Sequence, residues 1–179
     1  MNNRNRKNDT KRLTVCAMLS ALGVVLLYLG SLIDVLDISM AVIASLTCVI
    51  AVIEYGKGAP WSIYGVTSIL SFILLPNKTP AAMYAIFFGF YPILKEKFEK
   101  QKKIVSWVLK EVVFNVSLVI MGFAMYFLTM TADNTLFSAP TFVVFLILAA
   151  ELVFILYDIA LTRLISFYII SIRHRFKFK

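Results

Sequence analysis

The sequence is poor in charged residues, and this shortage excludes two classes of protein. Only 16% of its 179 residues are charged, whereas 60% are apolar. Soluble domains are about one quarter charged, so a soluble fold does not fit this composition. Disordered chains contain few apolar residues, so they are excluded as well. The composition predicts an integral membrane protein.

Cysteine and histidine are almost absent, with two residues of the first and one of the second. Cys16 and Cys48 lie in apolar segments without CxxC spacing, and His174 lies in a basic terminal segment. We therefore predict neither a disulfide framework nor a metal site. The Walker, HExxH and GxSxG motifs are missing too, so the sequence predicts no enzyme and no cofactor. An ATP-driven step would require partner subunits.

The apolar residues are grouped in six runs between polar breaks. These runs cover residues 13–33, 38–53, 60–75, 80–94, 104–130 and 140–172. A spanning helix needs about 20 residues, so the pattern predicts an all-α bundle of six transmembrane helices, with the second to fourth short. The bundle would occupy residues 13–172, between basic tails at 1–12 and 173–179. The first run lacks a cleavage pattern and is expected to be a retained span.

Positive charge is distributed unevenly around the predicted spans. With helices alternating in direction, 15 of the 18 Lys and Arg fall on one side of the membrane and Lys78 alone falls on the other. Lys110 and Arg163 lie within spans. This asymmetry predicts a multi-pass protein of the cell membrane with both termini, and residues 95–103, in the cytoplasm. Because the cations flank apolar runs, the net charge of +8 indicates contact with the lipid bilayer, not with nucleic acid.

Four charged residues are predicted in the inner halves of the last two helices: Lys110, Glu111, Asp158 and Arg163. An isolated charge in the hydrocarbon region costs at least about 2.5 kcal/mol. These residues either neutralise one another as a structural ion-pair cluster or form a proton or ion relay.

Five residues are candidates for contact with a ligand in the outer half of the bundle: Asn77, Lys78, Tyr84, Asn115 and Glu151. Lys78 is the only cation of the outer loops and suits an anionic ligand, unless it pairs with Asp34 or Asp37. Tyr84 either contacts the ligand, anchors the chain at the membrane interface or is a packing residue. Asn115 and Glu151 either bond to each other between helices or form the floor of a ligand cavity.

Small residues recur at helical spacing in the first run. Ala17, Ser20, Ala21 and Val24 share a predicted face that allows another helix, from this chain or from a partner, to approach closely. With its size, its six-helix topology and its lack of an ATPase motif, the chain resembles the S components of energy-coupling factor (ECF) vitamin transporters. Residues 56–65 are similar to that family's glycine- and proline-containing turn into its third helix.

The resemblance implies an ECF S-component bundle that binds a small micronutrient in its outer half. It also implies a transmembrane coupling subunit that docks on Ala17 and Ala21, together with two ATPase subunits. Two other hypotheses stay open. One is a membrane scaffold that resembles the cell-shape protein MreD and binds no ligand. The other is a proton-coupled secondary transporter that uses Glu111 or Asp158.

Overall fold

The computed structural model describes the backbone of residues 3–56, 58–128 and 140–172, and the side chains of residues 9–33, 35–56, 58–124 and 146–170. This part of the chain is helical and contains no strand. Its helices are α1 (Asn3–Ser31), α2 (Asp37–Tyr55), α3 (Ala59–Leu74), α4 (Thr79–Met83), α5 (Tyr91–Phe98), α6 (Lys103–Leu128) and α7 (Pro140–Phe167). A 3-10 turn (Asp34–Leu36) precedes α2, and π-helical segments (Tyr84–Phe88 and Tyr168–Ile172) follow α4 and α7.

Four helices of the described ranges, α1, α2, α6 and α7, are long and apolar enough to cross a membrane. α3 is also apolar, but its 16 residues reach only about 24 Å, less than the roughly 30 Å hydrocarbon core. Large apolar side chains are exposed along these helices, for example Leu22, Ile69, Val112 and Leu148. Soluble monomers rarely expose so much apolar surface, so the helices indicate a membrane protein. The six-span bundle stays a prediction.

The fourth apolar run differs from the continuous helix that its sequence predicts. α4 ends at Met83, a π-helical segment follows, and α5 begins at Tyr91. Pro92 is the second residue of α5, and its ring excludes an ordinary helical turn before it because proline lacks an N–H and clashes with the preceding turn. The Gly89 N–H donates to the Tyr84 carbonyl oxygen over 2.7 Å, which closes the wide π turn. We call residues 79–98 the broken helix.

The chain divides into two compact units, residues 1–128 and 129–179. The first contains α1 to α6, and the second contains α7 with the π-helical segment after it. The predicted basic tail at 173–179 and the outer loop at 131–139, which holds Asp133 and Asn134, lie outside the described residues.

Within the first unit, α1 packs closely against α2 and α3 through glycines. A β-carbon at Gly23 would lie 3.1 Å from Thr67 Cγ2 and 3.4 Å from Thr47 Oγ1. A β-carbon at Gly30 would lie only 2.8 Å from Met40 Cβ. These contacts bring three helix backbones together, as small residues do in membrane bundles.

Two basic segments meet at one end of the first unit. A terminal guanidinium nitrogen of Arg12 lies 3.3 Å from the position of a β-carbon at Gly58, which precedes α3. The Lys97 Nζ, near the end of α5, lies 6.0 Å from the ring centre of Trp61 in the first turn of α3. Lys78 follows the opposite end of α3, about 24 Å along that helix. The cations are therefore separated along α3 as the charge pattern predicts.

Candidate functional site

The connection between α3 and α4 contains Lys78. Its Nζ donates to the carbonyl oxygens of Phe72 (2.7 Å) and Leu75 (2.5 Å) at the end of α3. The last carbonyls of a helix have no intrahelical partner and carry partial negative charge, so the ammonium stabilises this end. The structure thus gives Lys78 backbone partners, where the sequence suggested Asp34, Asp37 or a ligand.

Asn77 links the same connection to α2. Its Nδ2 donates to Asp37 Oδ2 over 3.3 Å, and its Oδ1 accepts from the Thr79 N–H over 3.0 Å. Asp37 is buried in the first turn of α2, where a negative charge is stabilised by the helix dipole. The polar atoms of Asn77 therefore join two chain segments, and its contact with a ligand stays a prediction.

Tyr84 lies in the core of the first unit, with no exposed surface. Its hydroxyl oxygen is 3.2 Å from the sulfur of Cys48, which is buried on α2. Thr47 and Thr67 also neighbour this hydroxyl. Of the roles predicted for Tyr84, the structure shows packing in the core, and contact with a ligand stays a prediction. Cys48 is thus a polar partner of Tyr84 as well as a packing residue.

A second tyrosine explains how the broken helix is tolerated. Tyr64 on α3 donates its hydroxyl to the Ala85 carbonyl oxygen over 2.7 Å, inside the π-helical segment. This bond gives the backbone of the π-helical segment a side-chain partner from α3 and so stabilises the break, since backbone polar groups in an apolar environment need partners within the protein. The rings of Tyr64 and Tyr84 lie 6.3 Å apart, which places both hydroxyls on the same helix junction.

Buried hydroxyl groups are concentrated on α2 and α3. We call Ser45, Thr47, Thr67, Ser68 and Ser71 the hydroxyl cluster. The Thr47 hydroxyl donates to the Ala44 carbonyl over 2.8 Å, whereas the Ser71 Oγ has no hydrogen-bond partner among the described residues. Such a group costs about 1–3 kcal/mol when buried. The cluster was not predicted from the sequence, although Thr67 and Ser71 show the four-residue spacing of one helix face.

Asn115 and Glu151 lie in different units, and each is described within its own. Asn115 is exposed on α6, and its Nδ2 donates to the Glu111 carbonyl oxygen of the same helix over 3.1 Å. Glu151 is half-buried on α7, where its Oε2 has no hydrogen-bond partner in the ranges that the structure covers. Their predicted mutual bond stays a prediction.

The predicted small-residue face of α1 is divided in the structure. Ser20 and Val24 are buried, whereas Ala17 and Ala21 are exposed beside Met18. The internal helix contact therefore uses one side of this face. The two alanines lie on the other side, which the described residues leave open.

Lys110 belongs to a charge cluster that the sequence did not indicate. Its Nζ lies 3.3 Å from Glu99 Oε1, and the same oxygen is 3.0 Å from the Nζ of Lys95. The side chains of Lys95 and Lys110 are only 1% and 7% exposed, whereas that of Glu99 is 41% exposed. We call these three residues the lysine pair cluster. The segment 95–103 is therefore not uniformly solvated, because Lys95 is buried.

The described part of the chain contains no group of three or more His, Cys, Asp or Glu side chains placed to hold a metal ion. The buried polar groups of the first unit include hydroxyls, the Cys48 thiol, the Asp37 carboxylate and the ammonium groups of Lys95 and Lys110. Comparison with known proteins finds no family model, no curated protein and no solved structure that matches this chain.

Proposed function

We propose that the chain is the substrate-binding membrane subunit of an ECF-type transporter. In this proposal it captures a small micronutrient in its outer half, and partner subunits use ATP to complete uptake. The observation that carries the proposal is the broken helix, which packs against polar side chains of α2 and α3. Discontinuous helices form the substrate sites of many membrane transporters, because irregular backbone is tolerated where it borders a protein interior or cavity.

The proposed ligand site begins at the outer end of the broken helix. Asn77 and Lys78 precede it, and Tyr84 starts its π-helical segment. The Lys78 ammonium donates to two backbone carbonyl oxygens. In the proposed complex, an anionic group of the ligand takes the place of these carbonyls. Asn115, on α6, is a further proposed member of the site, and Glu151 stays a candidate from the sequence alone. The Ser71 hydroxyl, which has no hydrogen-bond partner among the described residues, supplies a further hydrogen-bonding group in the interior.

The exposed alanines of α1 support docking of a transmembrane coupling subunit. Small side chains allow two helix backbones to approach closely in a bilayer. Ala17 and Ala21 are exposed while the opposite side of α1 packs against α2 and α3. The proposal therefore assigns separate sides of α1 to folding and to partner contact.

Native mass spectrometry of the detergent-purified chain tests ligand capture. The wild type is expected to retain a small molecule of defined mass. Tyr84→Phe should lower its occupancy about fivefold, because the proposal has the Tyr84 hydroxyl turn from Cys48 to the ligand, and a lost neutral hydrogen bond costs on the order of 1 kcal/mol. Tyr28→Phe is the matched control, since Tyr28 is exposed on α1. A wild type without a retained molecule, or equal occupancy in both variants, would contradict ligand capture at this place.

The same preparations, made from cells that contain the coupling module, test docking. Ala21→Trp should keep the retained molecule but lose the co-purifying coupling subunit, because the indole separates the two backbones. Val112→Trp introduces the same indole at an exposed position of α6 and should keep both. If the coupling subunit still co-purifies with the Ala21→Trp variant, it does not dock at Ala17 and Ala21.

The proposed orientation has both termini and the α5–α6 connection in the cytoplasm. A cysteine placed at Asn77 should therefore react with an impermeant maleimide added to intact cells, and one placed at Gln101 should not. The parent chain sets the background, since Cys16 is half-buried and Cys48 is buried. Labelling from outside at position 101 would contradict the proposed topology.

A scaffold function has one observation in its favour. The end of α5 and its connection to α6 carry exposed cations at Lys97, Lys100, Lys102 and Lys103. Such a surface suits recruitment of acidic partners without any ligand. Purification without a small molecule, but with cell-wall or cytoskeletal proteins, would favour this second function.

A further inference from the structure

We propose that the first turn of α3, with the side chains that flank it, binds the headgroup of an anionic phospholipid. Gly58 and Trp61 mark this turn. The Arg12 guanidinium lies against it from α1, 3.3 Å from the β-carbon position of Gly58. The Lys97 ammonium lies against it from α5, 6.0 Å from the Trp61 ring centre. Two cations from separate helices thus flank one exposed indole.

Neither cation forms a salt bridge with a carboxylate in the part of the chain that the structure describes, although Arg12 and Glu54 both neighbour Tyr55. Two glutamates near Lys97 in the sequence are engaged elsewhere: Glu96 pairs with Lys100 at 2.6 Å, and Glu99 pairs with Lys95 and Lys110. Arg12 and Lys97 are exposed and form no salt bridge with a described residue. Arg12 and Lys97 are therefore available to bind an external anion. Guanidinium and ammonium donors bind phosphate groups well.

The surface next to these cations fits the rest of a lipid molecule. Trp61 is 42% exposed at the end of an apolar helix, which is the usual position of a tryptophan at the headgroup level. One turn further, a β-carbon at Gly65 would have no atom within 4 Å. Ile69 and Ile73 continue this face and are 63% and 70% exposed. The glycine leaves a notch in this face between an indole and two isoleucines, where we place an acyl chain of the lipid.

This arrangement favours a lipid over an acidic protein. A protein partner needs only the charges, whereas the notch and the apolar side chains extend from the charges into the proposed membrane region. The proposal does not depend on the transport function, since it uses only residues at the opposite end of α3 from Lys78.

Native mass spectrometry of the delipidated, full-length protein tests the proposal. Phosphatidylglycerol and phosphatidylcholine with identical acyl chains are added separately, with glycerol phosphate as the headgroup without chains. The wild type should retain phosphatidylglycerol in preference to the other two. The double variant Arg12→Gln with Lys97→Gln should reduce this retention about tenfold, because two charge-assisted contacts are lost.

Two further variants distinguish lipid binding at this defined site from nonspecific attraction to the basic surface. Lys100→Gln with Lys102→Gln removes the same charge from the same end and should leave phosphatidylglycerol retention unchanged. Gly65→Leu fills the notch without changing charge and should reduce retention, while the melting temperature shows that the bundle remains folded. Equal losses in both double variants, no preference for phosphatidylglycerol, or stronger binding of a polyglutamate peptide would each overturn the proposal.

Discussion

Gly89→Ala is expected to lower the melting temperature of the purified protein by several degrees. A β-carbon at this position would lie 2.6 Å from Tyr64 Cδ2, 2.8 Å from Tyr84 Cε1 and 2.9 Å from the Tyr84 carbonyl oxygen. Favourable carbon contacts are about 3.5–4.0 Å long, so both rings or the backbone must move. The backbone of Gly89 has an ordinary helical φ of −75°, so the position requires space and not unusual conformational freedom.

The expected size follows from the cost of overpacking. An extra carbon in a filled interior costs about 1–3 kcal/mol. A chain of this length loses roughly 2–4 °C of melting temperature for each kcal/mol. The movement would also disturb the hydrogen bond between Tyr64 and the Ala85 carbonyl, which stabilises the broken helix. Tryptophan fluorescence or light scattering during heating in detergent gives the measurement.

Gly122→Ala is the matched control for this prediction. Gly122 is exposed on α6, and a β-carbon there would have no atom within 4 Å. Alanine favours the helix over glycine by up to about 1 kcal/mol, so this variant should melt at the same temperature or higher. If both glycine variants melt like the wild type, the tight junction between the broken helix and α3 is absent.

The long helices could be predicted from composition, and the broken helix could be predicted only in part. The runs that become α1, α2, α6 and α7 are long enough for apolarity alone to identify them. Pro92 indicates a break within the fourth run, since the residue before a proline disfavours the helical conformation. The hydrogen bond that joins the π-helical segment to α3 comes from Tyr64, which lies on a different helix and is not indicated by the sequence of the fourth run.

The candidate site was harder to predict because side-chain partners come from distant segments. The sequence identifies three polar groups that need an explanation: Asn77, Lys78 and Tyr84. Their hydrogen bonds go to the first turn of α2, to the end of α3 and to the interior of α2, respectively. Lys78 binds the end of the preceding helix, a role that no spacing rule separates from an exposed charge. The burial of Tyr84 follows from the packing of α2 beneath it, which hydropathy along the chain does not reveal.

Glu99→Gln is expected to destabilise the protein by about 1–3 kcal/mol. Glu99 Oε1 is shared by the ammonium groups of Lys95 and Lys110, at 3.0 Å and 3.3 Å. Both lysines are almost completely buried, and breaking one partner out of a buried ion pair costs about 3–5 kcal/mol. The expected loss is smaller than this because Glu99 is 41% exposed, so that solvent screens its charge. In the Glu99→Gln variant, Lys95 and Lys110 lose the negative charge that they share, even though their other contacts remain.

Glu96→Gln is the control within the same segment. Glu96 pairs at 2.6 Å with Lys100, whose side chain is 61% exposed, and surface pairs four residues apart contribute only about 0.3–0.5 kcal/mol. Its melting temperature should therefore remain within about a degree or two of the wild type. If both glutamine variants were destabilised equally, the burial of Lys95 and Lys110 would not explain the loss of stability caused by Glu99→Gln.

A double-mutant cycle separates the charge effect from any loss of packing at Glu99. Lys95→Met with Lys110→Met replaces both buried cations by apolar side chains of similar length. In that background Glu99 no longer neutralises either lysine, so Glu99→Gln should cost less than about 0.5 kcal/mol. The coupling between the two changes then equals most of the loss seen in the wild type. A cost that stays the same in both backgrounds would show that Glu99 acts through contacts other than Lys95 and Lys110.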